Sequence, residues 1–157
     1  MSKPEQIRYF IDTCNTHAAR LSMALSHVVS FYPFTASAFS TLKDDQLSFI
    51  EFMISRVTKL QDTIGAKIFP ALIDLLESNT ERQSFLDILH KLEKWNFLPT
   101  TEGWIHLREV RNYLTLDYPD QPELMAKHIN RAVESSKELL LYWSFLKEKI
   151  EKIRELS

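Results

Sequence analysis

Two arginines at helical spacing, followed by an asparagine and a tyrosine, are the side chains of this sequence best suited to chemistry. They lie in the stretch REVRNYLTLDYPDQPE, which runs from Arg108 to Glu123. Arg111 carries a permanent charge, and its planar guanidinium can bind phosphate through two parallel hydrogen bonds. With Asn112 beside it and Tyr118 further on, the stretch is either part of an anion-binding site or a solvated helix end.

Helical spacing places Arg111 on the apolar face of its predicted helix. When each residue is advanced by about 100°, the apolar side chains of this segment fall on one arc. They are Trp104, Leu107, Val110, Leu114 and Tyr118. Arg111 falls inside the arc and Arg108 at its border. A buried guanidinium is costly unless something pairs with it. Arg111 is therefore expected to pair with an internal carboxylate, to extend to the end of the bundle, or to face a groove or a partner subunit.

A basic stripe occurs earlier in the chain, beside an apolar arc. It consists of the cations Arg56, Lys59 and Lys67 and of the hydroxyl-bearing Thr63. Such a stripe is typical of a solvated helix face, and Asp62 would neutralise part of it. Alternatively, Arg56 and Lys59 extend an anion site.

The remaining reactive side chains show no catalytic or metal-binding spacing. The histidines are scattered through the chain, at His17, His27, His90, His106 and His128. The single cysteine, Cys14, excludes an internal disulfide and is expected to be a buried structural thiol. We therefore expect neither a metal nor a cofactor.

Composition predicts one helical domain spanning residues 1–157. Hydrophobic residues make up 45% of the chain, there are only two glycines, and the net charge is −2. This charge provides no global attraction to nucleic acid or to an anionic membrane. The N-terminus lacks the apolar run of a signal peptide, and no stretch is long and apolar enough to span a membrane. The expected location is the cytoplasm.

Hydrophobic periodicity predicts five helices and no strand, which indicates an all-α antiparallel bundle. The expected segments are Pro4–Ser30, Asp45–Ser78, Thr80–Trp95, Thr101–Asp117, and a last helix running to the C-terminus. Asp44 or Asp45 is the expected cap of the second helix, and Asp120 with Glu123 that of the fifth. Gly65 and Pro70 predict a kink or break in the second helix.

The stretch LREVRNYLTLDYPDQPE resembles the signature of HEPN-domain proteins of the HepT-like, nucleotidyltransferase-associated type. Their pattern is an arginine, usually an asparagine, a few residues, and then His-x-Tyr. Arg111 and Asn112 match its beginning, and Asp117-Tyr118-Pro119 match its end. The upstream stretch SRVTKLQDTIGAKIFPAL, Ser55 to Leu72, also resembles a branch of these proteins. The likeness extends over roughly residues 44–149.

The resemblance implies a four-helix core and a homodimer in which two motifs share a cleft. Many such proteins are metal-independent ribonucleases, often toxins paired with a nucleotidyltransferase antitoxin that can add AMP to the motif tyrosine. By this likeness Arg111 would hold the scissile phosphate of RNA and Asn112 would orient the site. Tyr118 would contact RNA or accept AMP, while Arg108, Arg56 and Lys59 would extend substrate binding.

The sequence departs from the family at Leu116, where the motif has its histidine. Leucine cannot transfer a proton, and the loss of a general base lowers a rate on the order of 10² to 10⁴. Three histories fit: a degenerate protein, a toxin disarmed by substitution, or replacement of the base by His106 or His128. The alternatives from other classes are a non-catalytic substrate-binding or regulatory subunit of a nucleotidyltransferase, and a purely structural bundle.

Overall fold

The computed structural model describes residues 1–77, 81–153 and 156, and within these all regular structure is helical. The helices are α1 (Lys3–Val28), α2 (Ala36–Ser40), α3 (Asp44–Thr63), α4 (Phe69–Leu76), α5 (Phe85–Lys94), α6 (Thr101–Arg111) and α7 (Pro122–Glu151). A 3₁₀ turn, Val29–Phe31, follows α1, and a π-helical turn, Ile64–Ile68, joins α3 to α4. The predicted all-α bundle is therefore confirmed.

The long helices α3 and α7 both run antiparallel to α1. Near the middle of α1, His17 contacts Arg56 of α3, and near its end His27 stacks on Phe49. The order along α1 is thus reversed along α3. The same holds for α1 and α7, because Asn15 accepts a hydrogen bond from Trp143 whereas residues just after α1 meet the middle of α7.

One hydrophobic core lies between these helices. Its largest fully buried side chains include Ile7, Leu21, Ile50, Met53, Leu60, Ile64, Ile68, Phe69, Leu72, Leu89, Leu92 and Met125. These residues belong to α1, α3, the π-helical turn, α4, α5 and α7. Trp104, Leu107 and Val110 of α6 are also buried in the core. Burial of this apolar surface stabilises the bundle and holds α3, α6 and α7 in fixed relative positions.

The second predicted helix continues through Gly65 and Pro70 without a break. The backbone N–H of Phe69 bonds to the carbonyl of Ile64, five residues earlier. A proline in a regular helix would crowd the carbonyl four residues before it, here that of Ala66. One wider turn removes this conflict while the chain stays helical. The helix is therefore not broken, and the irregularity predicted at Gly65 and Pro70 takes the form of a π-helical turn.

The fourth predicted helix ends earlier than expected, at Arg111 instead of Asp117. The last hydrogen bonds of the helix are of the 3₁₀ type, since the N–H groups of Asn112 and Tyr113 each donate to the carbonyl three residues earlier. Asparagine and aspartate are poor helix formers, and Pro119 disfavours helical geometry at the residue before it. The motif residues after Asn112 therefore lie in an irregular loop.

Other boundaries also shift. The first turn of α3 contains Asp44 and Asp45, but Lys43 occupies the cap position. Gln121 takes that position in α7, so neither Asp120 nor Glu123 is the cap expected there. Ser84 caps α5 through the N–H of Asp87. The predicted end at Ser78 and start at Thr80 lie outside the described residues, and α2 falls in a stretch where a loop was expected.

Candidate functional site

An open groove of about 890 Å³ lies along the end of α3, the π-helical turn and α6. Its lining residues are Gln61, Asp62, Gly65, Ala66, Pro70, Phe85, Trp104, Ile105, Arg108, Glu109, Arg111 and Asn112. Three residues predicted for the site, Arg108, Arg111 and Asn112, are thus brought together. We call this feature the Arg111 groove.

Arg111 forms an ion pair with Asp62 across the groove. Its Nη2 atom donates to Asp62 Oδ2 over 2.7 Å, and the two side chains are 36% and 51% exposed. The sequence left open whether Arg111 pairs with a carboxylate or faces a groove, and here it does both. Because the pair lies at the surface, it contributes only about 0–1 kcal/mol to stability.

Arg108 lies on the aromatic side of the groove. Its guanidinium carbon is 4.6 Å from the centroid of the Phe85 ring, a distance at which cation and ring attract one another. The side chain is exposed. Since stacking uses the face of the guanidinium, its N–H groups remain directed around the edge, where they can donate to an anion.

Three buried nitrogen atoms of groove-lining residues have no hydrogen-bond acceptor. They are Nε2 of Gln61, Nε1 of Trp104 and Nε of Arg111. The Gln61 and Trp104 residues are 3% and 2% exposed. Each unpaired donor costs about 1–3 kcal/mol. Because these atoms are themselves buried, a ligand in the groove would reach them only if the neighbouring side chains moved.

The π-helical turn shapes the wall of the groove around Gly65. A β-carbon added there would lie 3.1 Å from Cζ2 of Trp104 and 3.6 Å from its Nε1 atom. The absence of a side chain lets the indole approach the backbone of the turn. The Trp104 ring also packs on Phe69, with the centroids 4.8 Å apart. Wide turns of this kind occur frequently at functional sites.

Tyr118 and Leu116 do not line the groove. Tyr118 was predicted on the core-facing arc, but it is 47% exposed because α6 ends before it. Leu116 is partly buried and packs against the core. The core-facing position predicted for Tyr118 is therefore wrong. The Arg111 groove of one chain contains Arg111 and Asn112, without the residues at the other end of the motif.

The loop that carries Leu116 and Tyr118 is fastened to α7 by a histidine. His128 is 7% exposed, and its Nδ1 atom lies 2.7 Å from the carbonyl oxygen of Thr115. Because a carbonyl only accepts, Nδ1 carries the proton. The Thr115 hydroxyl in turn accepts from the N–H of Asp117. His128 thus has a structural role here and does not reach the groove.

Arg56 and Lys59 lie away from the groove, although the sequence suggested that they extend it. Nη1 of Arg56 is 3.0 Å from Nδ1 of His17, on the side of α3 that meets α1. Arg56 also stacks on Phe52, with 5.1 Å between its central carbon and the ring centroid. Lys59 is exposed. The basic stripe therefore does not merge with the surface around Arg111.

Cys14 lies in the core, away from the Arg111 groove. Burial raises the pKa of Cys14 to about 12, so this thiol stays protonated and structural, as predicted. Within the described part of the chain, no group of three or more His, Cys, Asp or Glu side chains is arranged to hold a metal ion. Over the same residues no helix is long and apolar enough to cross a membrane. His106 does not line the groove.

Sequence reasoning missed Gln61, Trp104 and Gly65 as parts of the site. A signal for Gln61 was present, since it follows Val57 by one turn and therefore falls within the apolar arc of α3. A polar side chain at such a position needs a partner. No comparable signal distinguished Trp104 from an ordinary core residue, because its role depends on the local absence of a side chain at Gly65.

Comparison with known proteins identifies no relative of this chain. No protein-family model matches the sequence, and no curated protein or solved structure is significantly similar to the chain. The function is therefore argued from the Arg111 groove and from the motif that its residues begin.

Proposed function

We propose that this chain is a cytoplasmic, HEPN-type protein of a toxin–antitoxin pair that binds RNA at the Arg111 groove and cleaves it weakly or not at all. The observation that carries the proposal is the convergence of Arg111, Arg108 and Asn112 on one groove. An RNA phosphate supplies negative charge for the arginines and acceptor oxygens for the N–H groups.

The composition of the groove suits RNA better than an isolated phosphate. Phe85, Trp104 and Ile105 give it an apolar side next to the cationic one. Single-stranded RNA presents bases that stack on aromatic or guanidinium planes, together with a charged backbone. Arg108 on Phe85 already forms such a cation–aromatic pair.

The absence of the motif histidine argues for weak or absent cleavage. Leu116 occupies the motif position of the family histidine, and none of the described histidines lines the groove. Arg111 can neutralise a phosphate but cannot accept the proton of a ribose 2′-hydroxyl, because a guanidinium does not deprotonate. The proposed protein therefore retains Arg111, which binds the phosphate, and lacks the histidine that would accept the proton.

Dimerisation is part of the same proposal. The groove is open, and Tyr113, Tyr118 and Leu86 near the ends of α6 and α5 are 63%, 47% and 48% exposed. A second copy related by a two-fold axis would cover such apolar surface and complete a shared cleft. A cognate nucleotidyltransferase would then reach the exposed Tyr118, and an AMP phosphate added there would compete with RNA for the arginines.

A non-catalytic substrate-binding or regulatory subunit of a nucleotidyltransferase is the second candidate. The observation favouring it is the packing of Leu116 against the core, since that side chain has a structural role in place of a chemical one. In this case the Arg111 groove would hold the phosphate of the nucleotidyltransferase substrate, and RNA would not bind.

Restoring the missing histidine tests the proposal. Leu116→His should raise metal-independent cleavage of RNA above the wild-type level and leave 2′,3′-cyclic phosphate ends. Leu116→His with Arg111→Ala should return to background, because the phosphate loses its charge-assisted contact. A folded, dimeric Leu116→His protein that cleaves no better than wild type would contradict the ribonuclease ancestry.

RNA binding by the unmodified site supplies a second test that does not depend on how Leu116→His folds. Arg111→Gln should weaken binding of a short single-stranded RNA roughly tenfold, as expected for loss of a charge-assisted hydrogen bond. Arg131→Gln, which removes the same charge from an exposed site on α7, should change it much less. Equal effects of the two variants, or no RNA binding by wild type, would favour the regulatory-subunit function.

A further inference from the structure

Four basic side chains come together where α1 packs on α3. Nη1 of Arg56 lies 3.0 Å from Nδ1 of His17. A guanidinium only donates, so the ring nitrogen accepts this bond and His17 is neutral. Lys59 and Arg20 are close enough for their charges to act on the same ring. We call these four residues the α1–α3 cationic cluster.

The cluster has no internal counterion. Among the described residues, no carboxylate forms an ion pair with Arg56, Lys59 or Arg20. The Nε atom of Arg56 is buried and has no acceptor. Burial and then the charges of Arg56, Lys59 and Arg20 lower the pKa of His17. Among the described residues these cations therefore have no ion-pair partner of their own, in a chain whose net charge is −2.

We propose that the α1–α3 cationic cluster binds a phosphate monoester, as found at the 5′ end of RNA or on a free nucleotide. Three permanent cations suit a group that carries two negative charges better than a backbone diester, which carries one. Arg56 is held for this role by Phe52, whose ring centroid is 5.1 Å from the guanidinium carbon. This site is separate from the Arg111 groove, so the inference does not rest on the proposed function.

Binding at this site should be coupled to uptake of a proton. A protonated His17 cannot accept from Arg56, so both side chains then have donors for the ligand. A bound dianion also offsets the repulsion that Arg56, Lys59 and Arg20 exert on the imidazolium. Affinity should therefore rise as the pH falls toward the range in which His17 titrates. Sulfate is the appropriate probe, since it keeps both charges over this range.

Paired ligands test the proposal directly. Wild-type protein should bind AMP but not adenosine in isothermal titration calorimetry, and a 5′-phosphorylated RNA oligonucleotide more tightly than its 5′-hydroxyl counterpart. Arg56→Gln should weaken AMP binding roughly tenfold or more. Arg131→Gln is the control of equal charge. Equal binding of AMP and adenosine, or no binding of either, would overturn the site.

Substitution of His17 separates the proton-coupled site from a general attraction of anions. His17→Gln keeps an acceptor for Arg56 but cannot titrate, so it should bind sulfate with an affinity that no longer changes between about pH 5.5 and 8. His90→Gln, at an exposed histidine on α5, should keep the wild-type dependence. An unchanged pH dependence in His17→Gln would contradict the role assigned to His17.

The two phosphate sources are separated by the same measurements. If AMP and the 5′-phosphorylated RNA bind with similar affinity, the monoester alone is recognised. If only the RNA binds, and its 5′-hydroxyl counterpart binds as tightly, the contact is made by the backbone diester and the proposal fails. Loss of RNA binding in Arg111→Gln with unchanged AMP binding would show that the two sites act separately.

Discussion

Asp62 of α3 and Arg111 of α6 hold each other across the groove at 2.7 Å. The carboxylate contacts the arginine where an oxygen of a bound phosphate would bind. In the free protein Asp62 is thus an internal anion, and a ligand of the groove has to compete with it.

Asp62→Asn should strengthen RNA binding because it frees Arg111 and removes a repelling charge. An exposed pair is worth about 0–1 kcal/mol, so the gain should be a factor of up to about five, with a loss of stability no larger than about 1 kcal/mol. Fluorescence anisotropy with a labelled oligonucleotide and thermal melting measure both effects. Glu148→Gln, which breaks the exposed pair with Lys152, is the matched control and should leave RNA affinity almost unchanged.

Gly65→Ala should destabilise the protein although alanine is the better helix former. The new β-carbon would lie 3.1 Å from Cζ2 of Trp104, and shifting the packed indole costs about 1–3 kcal/mol. Urea unfolding measures the difference. In a Trp104→Phe background, which lacks that atom, the same substitution should cost much less. An equal cost in both backgrounds would refute the close contact.

His128→Leu should loosen the motif loop, because the partly buried carbonyl of Thr115 loses its donor. The expected loss of stability is about 1–3 kcal/mol. His128→Asn should recover part of it, since the asparagine amide nitrogen can donate from a position close to that of Nδ1. Limited proteolysis within residues 112–121 gives a local readout. If Asn and Leu behave alike, the hydrogen bond is not what holds the loop.

Cys14 should make stability fall at alkaline pH. Burial raises the pKa of the thiol to about 12 in the folded protein, from 9.0 for the ordinary group. The unfolded chain therefore loses this proton first, and the stabilisation present below pH 9 is lost as the pH approaches 12. Relative to Cys14→Ala, the free energy of unfolding should decrease by up to about 1.4 kcal/mol per pH unit over that interval. Parallel curves for the two proteins would contradict this.

The helical class and most core positions could be predicted from the sequence because amphipathic spacing depends only on local order along the chain. The position of Arg111 at a helix end could not, since it depends on Leu114 turning into the core and on His128 holding Thr115 from a distant helix. For the same reason Tyr118 does not lie on the core-facing arc that a straight helix predicts for it. The sequence indicated Asp62 only as a neutralising charge on another segment, and not as the partner of Arg111. Tertiary contacts determine the helix end, the position of Tyr118 and the pairing of Arg111.

The π-helical turn accommodates one additional residue between α3 and α4. It contains one residue more than a regular turn, so removing Ala66 would leave the register of α4 unchanged, with Phe69 still against Trp104. Removing a residue from the regular part of α3 would instead rotate everything beyond it by about 100°. A regular helix would, however, bring Pro70 back against a backbone carbonyl. A deletion here should therefore be tolerated better when Pro70 is replaced at the same time, so the π-helical turn and its proline depend on each other.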